Sequence, residues 1–190
     1  MTREKLQIKE KVRNAIAKLK DNDKYLLQND ISEWAISHKL AVYLNDEFSG
    51  FDVDCEYNGY CEVDKGKKYI IALYEELEKL VKLKESDENK KFLERKVFPD
   101  IIIHKRGSNE NLLILEIKKE NNNDKDYDRL KLEKYTSSDG KNDLNYHLGA
   151  FIIFETGKEE MPHSIEWYKN GTKEKEVETN ALSPAPPTND

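Results

Sequence analysis

The sequence contains no long apolar segment. Within its 190 residues there is no run of about 18 apolar residues, the shortest length typical of a membrane-spanning helix. Residues 1–5 are polar apart from the initial methionine, and no apolar stretch of the kind found in secretory signals follows them. We therefore expect a cytoplasmic protein that makes no contact with membranes.

Cysteine is also scarce. The chain holds only Cys55 and Cys61, with no Cys-x-x-Cys pair. A cytosolic protein usually keeps such thiols reduced. Two cysteines and four scattered histidines lack the ligand spacing of a structural zinc site. The sequence thus supports neither a disulfide framework nor a zinc domain.

An excess of positive charge is missing as well. The formal net charge is −6, from 32 basic and 38 acidic residues. Proteins that bind nucleic acid through bulk charge usually carry a basic footprint. If this chain binds nucleic acid, a homodimer or a partner subunit is therefore a reasonable source of its specificity.

The pattern that is present is that of one α/β domain. Apolar residues at helical spacing predict helices over 3–28 and about 32–47, with Asp30 as the N-cap of the second and Glu33 completing a capping box. A short helix is predicted over 126–136. Apolar or alternating runs predict strands at 51–57, 97–104, 112–119, 148–155 and 164–169. The strand at 164–169 is a candidate edge strand.

Two further segments complete the organisation. Ile70, Leu73, Leu77 and Leu80 recur at helical spacing and predict a helical insertion over about 66–95. Residues 180–190 are rich in proline and predict a disordered tail. The expected fold is therefore a single α/β domain over 1–179, with a mixed central β-sheet flanked by helices.

Three residues on the predicted strands stand out chemically. Side chains alternate along a strand, so Glu116 and Lys118 share a face while Ile117 points into the core. A hairpin between 97–104 and 112–119 would bring Asp100 beside Glu116. The two carboxylates and the Ile117 carbonyl would suit Mg²⁺, a hard cation that prefers oxygen ligands. Such an ion can activate water for attack on a phosphodiester, with Lys118 as a compact positive charge.

Glu33 is placed by its helix. It shares a face with Ser37, Leu40 and Leu44, so we expect it at the rim of the buried face, where a metal could serve as its partner. The alternative is that Glu33 only completes the capping box. His38 lies about 140° round the helix from Glu33 and is not expected to share a metal with it.

These residues in this order resemble the PD-(D/E)XK nuclease superfamily. The resemblance rests on a helix with Glu33, on Pro99-Asp100 at a strand start, and on Glu116-x-Lys118 in the next strand. Blocks similar to small bacterial nuclease-like proteins lie at 32–33 with 38–44, at 54–58 and at 99–107, so that the resemblance covers roughly residues 30–155. It implies a restriction-endonuclease-like core, ligation of Mg²⁺ or Mn²⁺ by Asp100 and Glu116 with help from Glu33, and a catalytic Lys118.

The expected function is metal-dependent hydrolysis of phosphodiester bonds, with DNA as the expected substrate. The alternatives are a ribonuclease and a non-catalytic nucleic-acid or protein interaction module on the same fold. In the simplest non-functional interpretation, Glu116 and Lys118 belong to the solvated face of a half-exposed strand.

Other charged residues are candidates for supporting roles. Asp54 and Glu56 share a strand face, and either support the metal ligands from behind or face water. Five cations are candidate phosphate contacts, although solvated surface charge is the alternative for each: Lys105, Arg106, Lys119, Arg129 and Lys131.

Overall fold

A computed structural model describes residues 3–59, 67–84, 90–142 and 144–180. Its helices are α1 Arg3–Asn22, α2 Lys24–Gln28, α3 Glu33–Glu47, α4 Tyr74–Leu77 and α5 Lys125–Thr136. Its strands are β1 Asp52–Cys55, β2 Tyr69–Leu73, β3 Phe92–Lys96, β4 Ile101–His104, β5 Asn111–Lys119, β6 Leu148–Phe154, β7 His163–Lys169 and β8 Thr172–Asn180. The predicted tail, apart from Asn180, lies outside the described residues.

The chain forms a mixed α/β fold around a six-stranded sheet. The strand order is β1-β4-β5-β6-β7-β8, in which β5 and β6 are parallel and every other neighbouring pair is antiparallel. Parallel neighbours need a crossover connection, and α5 supplies it between β5 and β6. In the part of the chain that the structure describes, no helix is long and apolar enough to cross a membrane.

The two faces of the sheet pack against different helices. On one face, Leu115 and Ile117 of β5 join a core built with α1 and α3. On the other, Ile114 of β5 packs with Leu132 and Tyr135 of α5. The central strand is thus covered on both sides, as its nearly continuous apolar sequence predicts. Polar groups on β5 must therefore find their partners within the protein.

The predicted helical insertion is wrong. Strands β2 and β3, which fall within this region, pair as a two-stranded antiparallel sheet. Helix α4 is a single turn that follows β2. The buried side chains Ile70 and Ala72 are two residues apart, which is the period of a strand. The spacing of Ile70, Leu73 and Leu77 matched a helix only because it runs from a strand into a helical turn.

The predicted edge position of the 164–169 strand is also wrong. β7 lies inside the sheet, because β8 pairs with it from Lys169↔Thr172 to His163↔Asn180. The sequence of β8 is mostly charged and shows no apolar alternation, so it gives little strand signal. Charged residues are typical of an edge strand, where they discourage pairing with other chains.

Candidate active site

The β4–β5 hairpin brings Asp100 to Glu116, as the predicted antiparallel pairing of these strands requires. Ile101 pairs with Leu115, so the preceding residue, Asp100, stands beside Glu116. Oδ2 of Asp100 accepts a hydrogen bond of 2.7 Å from the backbone N–H of Ile117. Strand β4 begins only at Ile101, later than predicted, and this leaves Asp100 at the sheet end with its carboxylate turned onto β5.

Glu33 ties the start of α3 to the end of β5. Its Oε1 accepts hydrogen bonds from the Lys119 backbone N–H and from the Asn122 side-chain amide, both at 2.9 Å. Its Oε2 lies 3.4 Å from Nζ of Lys118. The Glu33 carboxylate therefore links α3 to the end of β5. Its contact with Lys118 connects it to the predicted site residues on β5.

The predicted N-cap of α3 is wrong. Ser32 caps the helix, because its Oγ accepts a hydrogen bond of 3.3 Å from the Ala35 N–H. Asp30 instead has a left-handed backbone, with φ of 52°, and its carboxylate contacts Thr156 and Lys119. The capping-box role considered for Glu33 is thus replaced by the cross-fold contacts described above.

Helix α5 adds two charged residues that sequence reasoning did not assign to the site. Nζ of Lys131 lies 2.9 Å from Oε2 of Glu116 and 2.6 Å from Oδ1 of Asp128. Oδ2 of Asp128 lies 3.2 Å from Nζ of Lys118. The available signal was the i, i+3 spacing of Asp128 and Lys131 on the crossover helix, next to the buried Tyr135.

Burial shifts two acids of this cluster, Glu116 and Asp100, toward their neutral forms. Glu116 is fully buried, and burial raises its pKa well above the usual value; Asp100 and Asp128 add to this effect, while Lys131 opposes it. Burial likewise raises the pKa of Asp100, against the hydrogen bond from Ile117. Both carboxyls therefore favour a proton over an uncompensated charge.

The pKa shifts of Glu33, Lys118 and Lys131 favour their charged forms. Partial burial would raise the pKa of Glu33, but the hydrogen bonds from Lys119 and Asn122 lower it overall. Burial would lower the pKa of Lys118, but the carboxylates around it, chiefly Asp128, raise it overall. The pKa of Lys131 is raised in the same way by Glu116 and Asp128.

Exposure within the cluster is highest at Glu33 and lowest at Glu116. The side chain of Glu33 is 24% exposed and that of Lys118 is 16% exposed. Lys131 is 10% exposed, Asp128 is 6% exposed and Glu116 is not exposed at all. The cluster is therefore most open to solvent at the Glu33 end, next to Lys118.

Lysines pair with three of the four carboxylates of the cluster, Glu33, Glu116 and Asp128. Among the described residues, no three or more His, Cys, Asp or Glu side chains are arranged to hold a metal ion. Both carboxylate oxygens of the buried Glu116 nevertheless lack a hydrogen bond of good geometry from the described part of the chain. When all groups are ionised, the cluster holds four carboxylates and two ammonium groups and so carries a formal charge of −2. A divalent ion would balance that charge. The acids are Glu33, Asp100, Glu116 and Asp128, and the cations are Lys118 and Lys131.

Asp54 and Glu56 contact other partners. Asp54 lies 2.9 Å from Nε2 of His104 and accepts a 2.9 Å hydrogen bond from Nε of Arg106. The side chain of Glu56 is exposed, and its backbone N–H donates to the Asp100 carbonyl over 3.2 Å. Asp54 therefore fastens the β4–β5 loop, and Glu56 supports Asp100 through its backbone.

The five cations predicted to contact phosphate all have acidic partners. Lys105 pairs with Glu110, Arg106 with Asp52 and Asp54, Lys119 with Asp30, and Arg129 with Glu166 and Asp126. Lys131 is buried within the cluster, so its assignment to the surface is wrong. Phosphate contact by the other four stays a prediction.

Substitution of Glu116 by glutamine should change how stability depends on pH. The folded state raises the pKa of Glu116, so proton binding to this carboxyl stabilises the fold at low pH. That stabilisation is lost as pH rises from about 4.5, the usual glutamate value, through the raised pKa. Glu116→Gln does not titrate, so its melting temperature relative to the wild type should increase from pH 5 to pH 9 in EDTA. A difference that stays constant over this range would contradict the assignment.

Comparison with protein-family models, with curated proteins and with solved structures finds no match.

Proposed function

We propose that the chain is a divalent-metal-dependent nuclease that hydrolyses phosphodiester bonds in DNA, on a restriction-endonuclease-like core. One observation carries the proposal. Two carboxyls, the half-buried Asp100 just before β4 and the fully buried Glu116 on β5, stand side by side, with Lys118 next to them on β5. Buried acids of this kind are costly unless they are protonated, paired or bound to a metal. Perturbed acids in a cluster that opens to solvent are characteristic of functional sites.

Asp100, Glu116 and the carbonyl of Ile117 are the groups that we assign to Mg²⁺ or Mn²⁺. Carboxylate and carbonyl oxygens are the ligands such ions prefer. When bound, the ion would lower the pKa of a water molecule and offset the charge that develops on phosphate. Metal binding requires ionised carboxylates, so the raised pKa values of Asp100 and Glu116 imply that metal affinity increases with pH.

Lys118 is the residue that we assign to the transition state. Its ammonium group lies between Asp128 and Glu33, at 3.2 and 3.4 Å, near the open end of the cluster. These two acids hold the lysine charged and restrict its position. A fixed ammonium can stabilise the negative charge that develops on phosphate during attack by water. Glu33 and Asp128 then act as positioning residues for Lys118.

A second candidate function is a non-catalytic interaction module. The observation that favours it is the neutralisation of the acids by lysine: Lys131 pairs with Glu116 and Asp128, and Lys118 contacts Glu33 and Asp128. In this alternative the cluster is an internal ion-pair network that needs no metal. The two functions differ in their response to divalent ions.

Thermal melting with and without Mn²⁺ tests the metal site. A ligand at 100 times its Kd stabilises the folded state by about 2.7 kcal/mol, which for a domain of this size corresponds to about 5–10 °C. We expect a rise of this order for the wild type at saturating Mn²⁺, relative to EDTA. The double variant Asp100→Ala with Glu116→Ala should show none. No rise in the wild type, or an equal rise in the double variant, would favour the interaction module.

A further inference from the structure

An exposed aromatic pair lies in the first two turns of α3, the helix that begins with Glu33. Trp34 follows Glu33 directly in α3, and its side chain is 66% exposed. One helical turn on, the exposed ring of His38 stacks against it, with centroids 6.4 Å apart and planes inclined by 22°. A single exposed apolar residue is ordinary, but this indole adjoins the residue through which the cluster meets solvent.

A second exposed ring adjoins the other strand of the cluster. Phe98 precedes Asp100 by two residues and is 48% exposed. Nζ of Lys96 lies 4.7 Å from its ring centroid, so a positive charge accompanies the aromatic face. Glu33 and Asp100, which come from separate elements, thus each have an exposed aromatic residue within two positions.

The charges of the protein make such rings useful for binding. A protein with a net charge of −6 gains little from releasing counterions from a nucleic acid. The cations predicted to contact phosphate are already paired with carboxylates. Stacking of bases on aromatic rings supplies affinity in addition to the contacts of cations with phosphate.

We infer that Trp34, supported by His38, is a stacking platform for an unpaired base, so that the substrate is a single-stranded or locally unpaired nucleic acid. The inference rests on the proposed nuclease function and specifies its substrate class. In a duplex the face of each base is covered by its neighbours, so a surface indole reaches that face only where a strand is unpaired. A base on Trp34 would bring its strand to the start of α3, the part of the helix that carries Glu33.

Fluorescence titration tests this directly, because the two tryptophans differ completely in exposure. Trp34 is largely exposed, whereas Trp167 is fully buried and serves as an internal reference. We would titrate the protein with a single-stranded oligothymidylate and with a blunt duplex, both in EDTA to prevent cleavage. We expect the single strand to quench the Trp34 emission and the duplex to quench it far less. Trp34→Phe should bind nearly as well as the wild type but show no quenching.

Affinity measured by anisotropy of a labelled single strand gives the size of the effect. Stacking contributes about 1–3 kcal/mol per base, so Trp34→Ala should weaken binding by roughly 5- to 150-fold. The matched control is Val42→Ala. Val42 is also exposed on α3, but it lies eight residues beyond Trp34, or about 12 Å along the axis, and should be neutral.

Several outcomes would overturn the inference. The wild type could fail to bind the single strand, or Trp34→Ala could bind it with unchanged affinity. The duplex could also bind and quench the Trp34 emission as strongly as the single strand does. Equal loss in Val42→Ala, or a dimer disrupted by both variants, would assign this face to protein docking instead. Unchanged affinity with normal cleavage would reject stacking and leave the nuclease proposal intact. Trp34-dependent binding without cleavage in any metal would support stacking and reject the nuclease.

Discussion

Replacing Lys118 with alanine should lower the rate of phosphodiester cleavage by about 10²–10³-fold, the usual cost of removing one preorganised charge from a transition state. Folding should persist, because the acids that Lys118 contacts keep other partners. Asp128 still pairs with Lys131 at 2.6 Å, and Glu33 still accepts hydrogen bonds from Lys119 and Asn122. Metal binding, followed by the Mn²⁺-dependent change in melting temperature, should also persist.

The neighbouring lysine provides the matched control. The Lys119 side chain pairs with Asp30 at 3.0 Å, away from Asp128, and its contribution to Glu33 comes from the backbone N–H. Alanine keeps that N–H, so Lys119→Ala should cleave almost as fast as the wild type. Lys118→Arg should not rescue fully, because a broad planar guanidinium replaces a compact ammonium. Equal cleavage rates for Lys118→Ala and Lys119→Ala would refute the assignment.

Replacing Lys131 with methionine should have the largest effect on stability. The change removes the cation that lies 2.9 Å from Glu116 and 2.6 Å from Asp128, both of which are buried. Removing one partner of a buried ion pair costs about 3–5 kcal/mol, because the remaining charge has no compensation. Urea unfolding in EDTA should show this loss in the free energy of unfolding at pH 8. The loss should be smaller at pH 5, where protonated Glu116 needs no cation.

A divalent cation should recover much of the stability lost in Lys131→Met. The ion would restore positive charge beside Glu116, and the lysine would no longer compete for that carboxylate. Mn²⁺ should therefore raise the melting temperature of Lys131→Met more than that of the wild type. Arg129→Met is the control, because Arg129 pairs with Glu166 and Asp126, outside the cluster. Equal Mn²⁺ effects on Lys131→Met and the wild type would contradict a metal site at Glu116.

The part of the site that depends on local structure could be predicted from the sequence. The adjacency of Asp100 and Glu116 follows from a hairpin, and the shared face of Glu116 and Lys118 follows from strand alternation. Both rest on contacts within about 20 residues of chain, for which the sequence pattern of β4 and β5 is unambiguous.

The contribution of α5 could not be predicted in the same way. Whether Lys131 reaches Glu116 depends on how the crossover helix lies on the sheet, which spacing within the helix does not determine. Lysine is rarely buried, so a surface role was the reasonable expectation for Lys131. The helix predicted over 66–95 was wrong for a different reason. Its apolar residues fit a helical period across the junction of β2 and α4, although Ile70 and Ala72 belong to a strand.

Cleavage of nucleic acid by the purified protein tests the central claim most directly. Closed circular plasmid, single-stranded DNA and RNA would each be incubated with the wild type in Mg²⁺, Mn²⁺ or EDTA, with Asp100→Asn and Lys118→Ala in parallel. The account predicts cleavage of DNA by the wild type in Mg²⁺ or Mn²⁺, no cleavage in EDTA, and strongly reduced cleavage by both variants. A wild type inactive on every substrate with both metals, or an Asp100→Asn variant as active as the wild type, would contradict it.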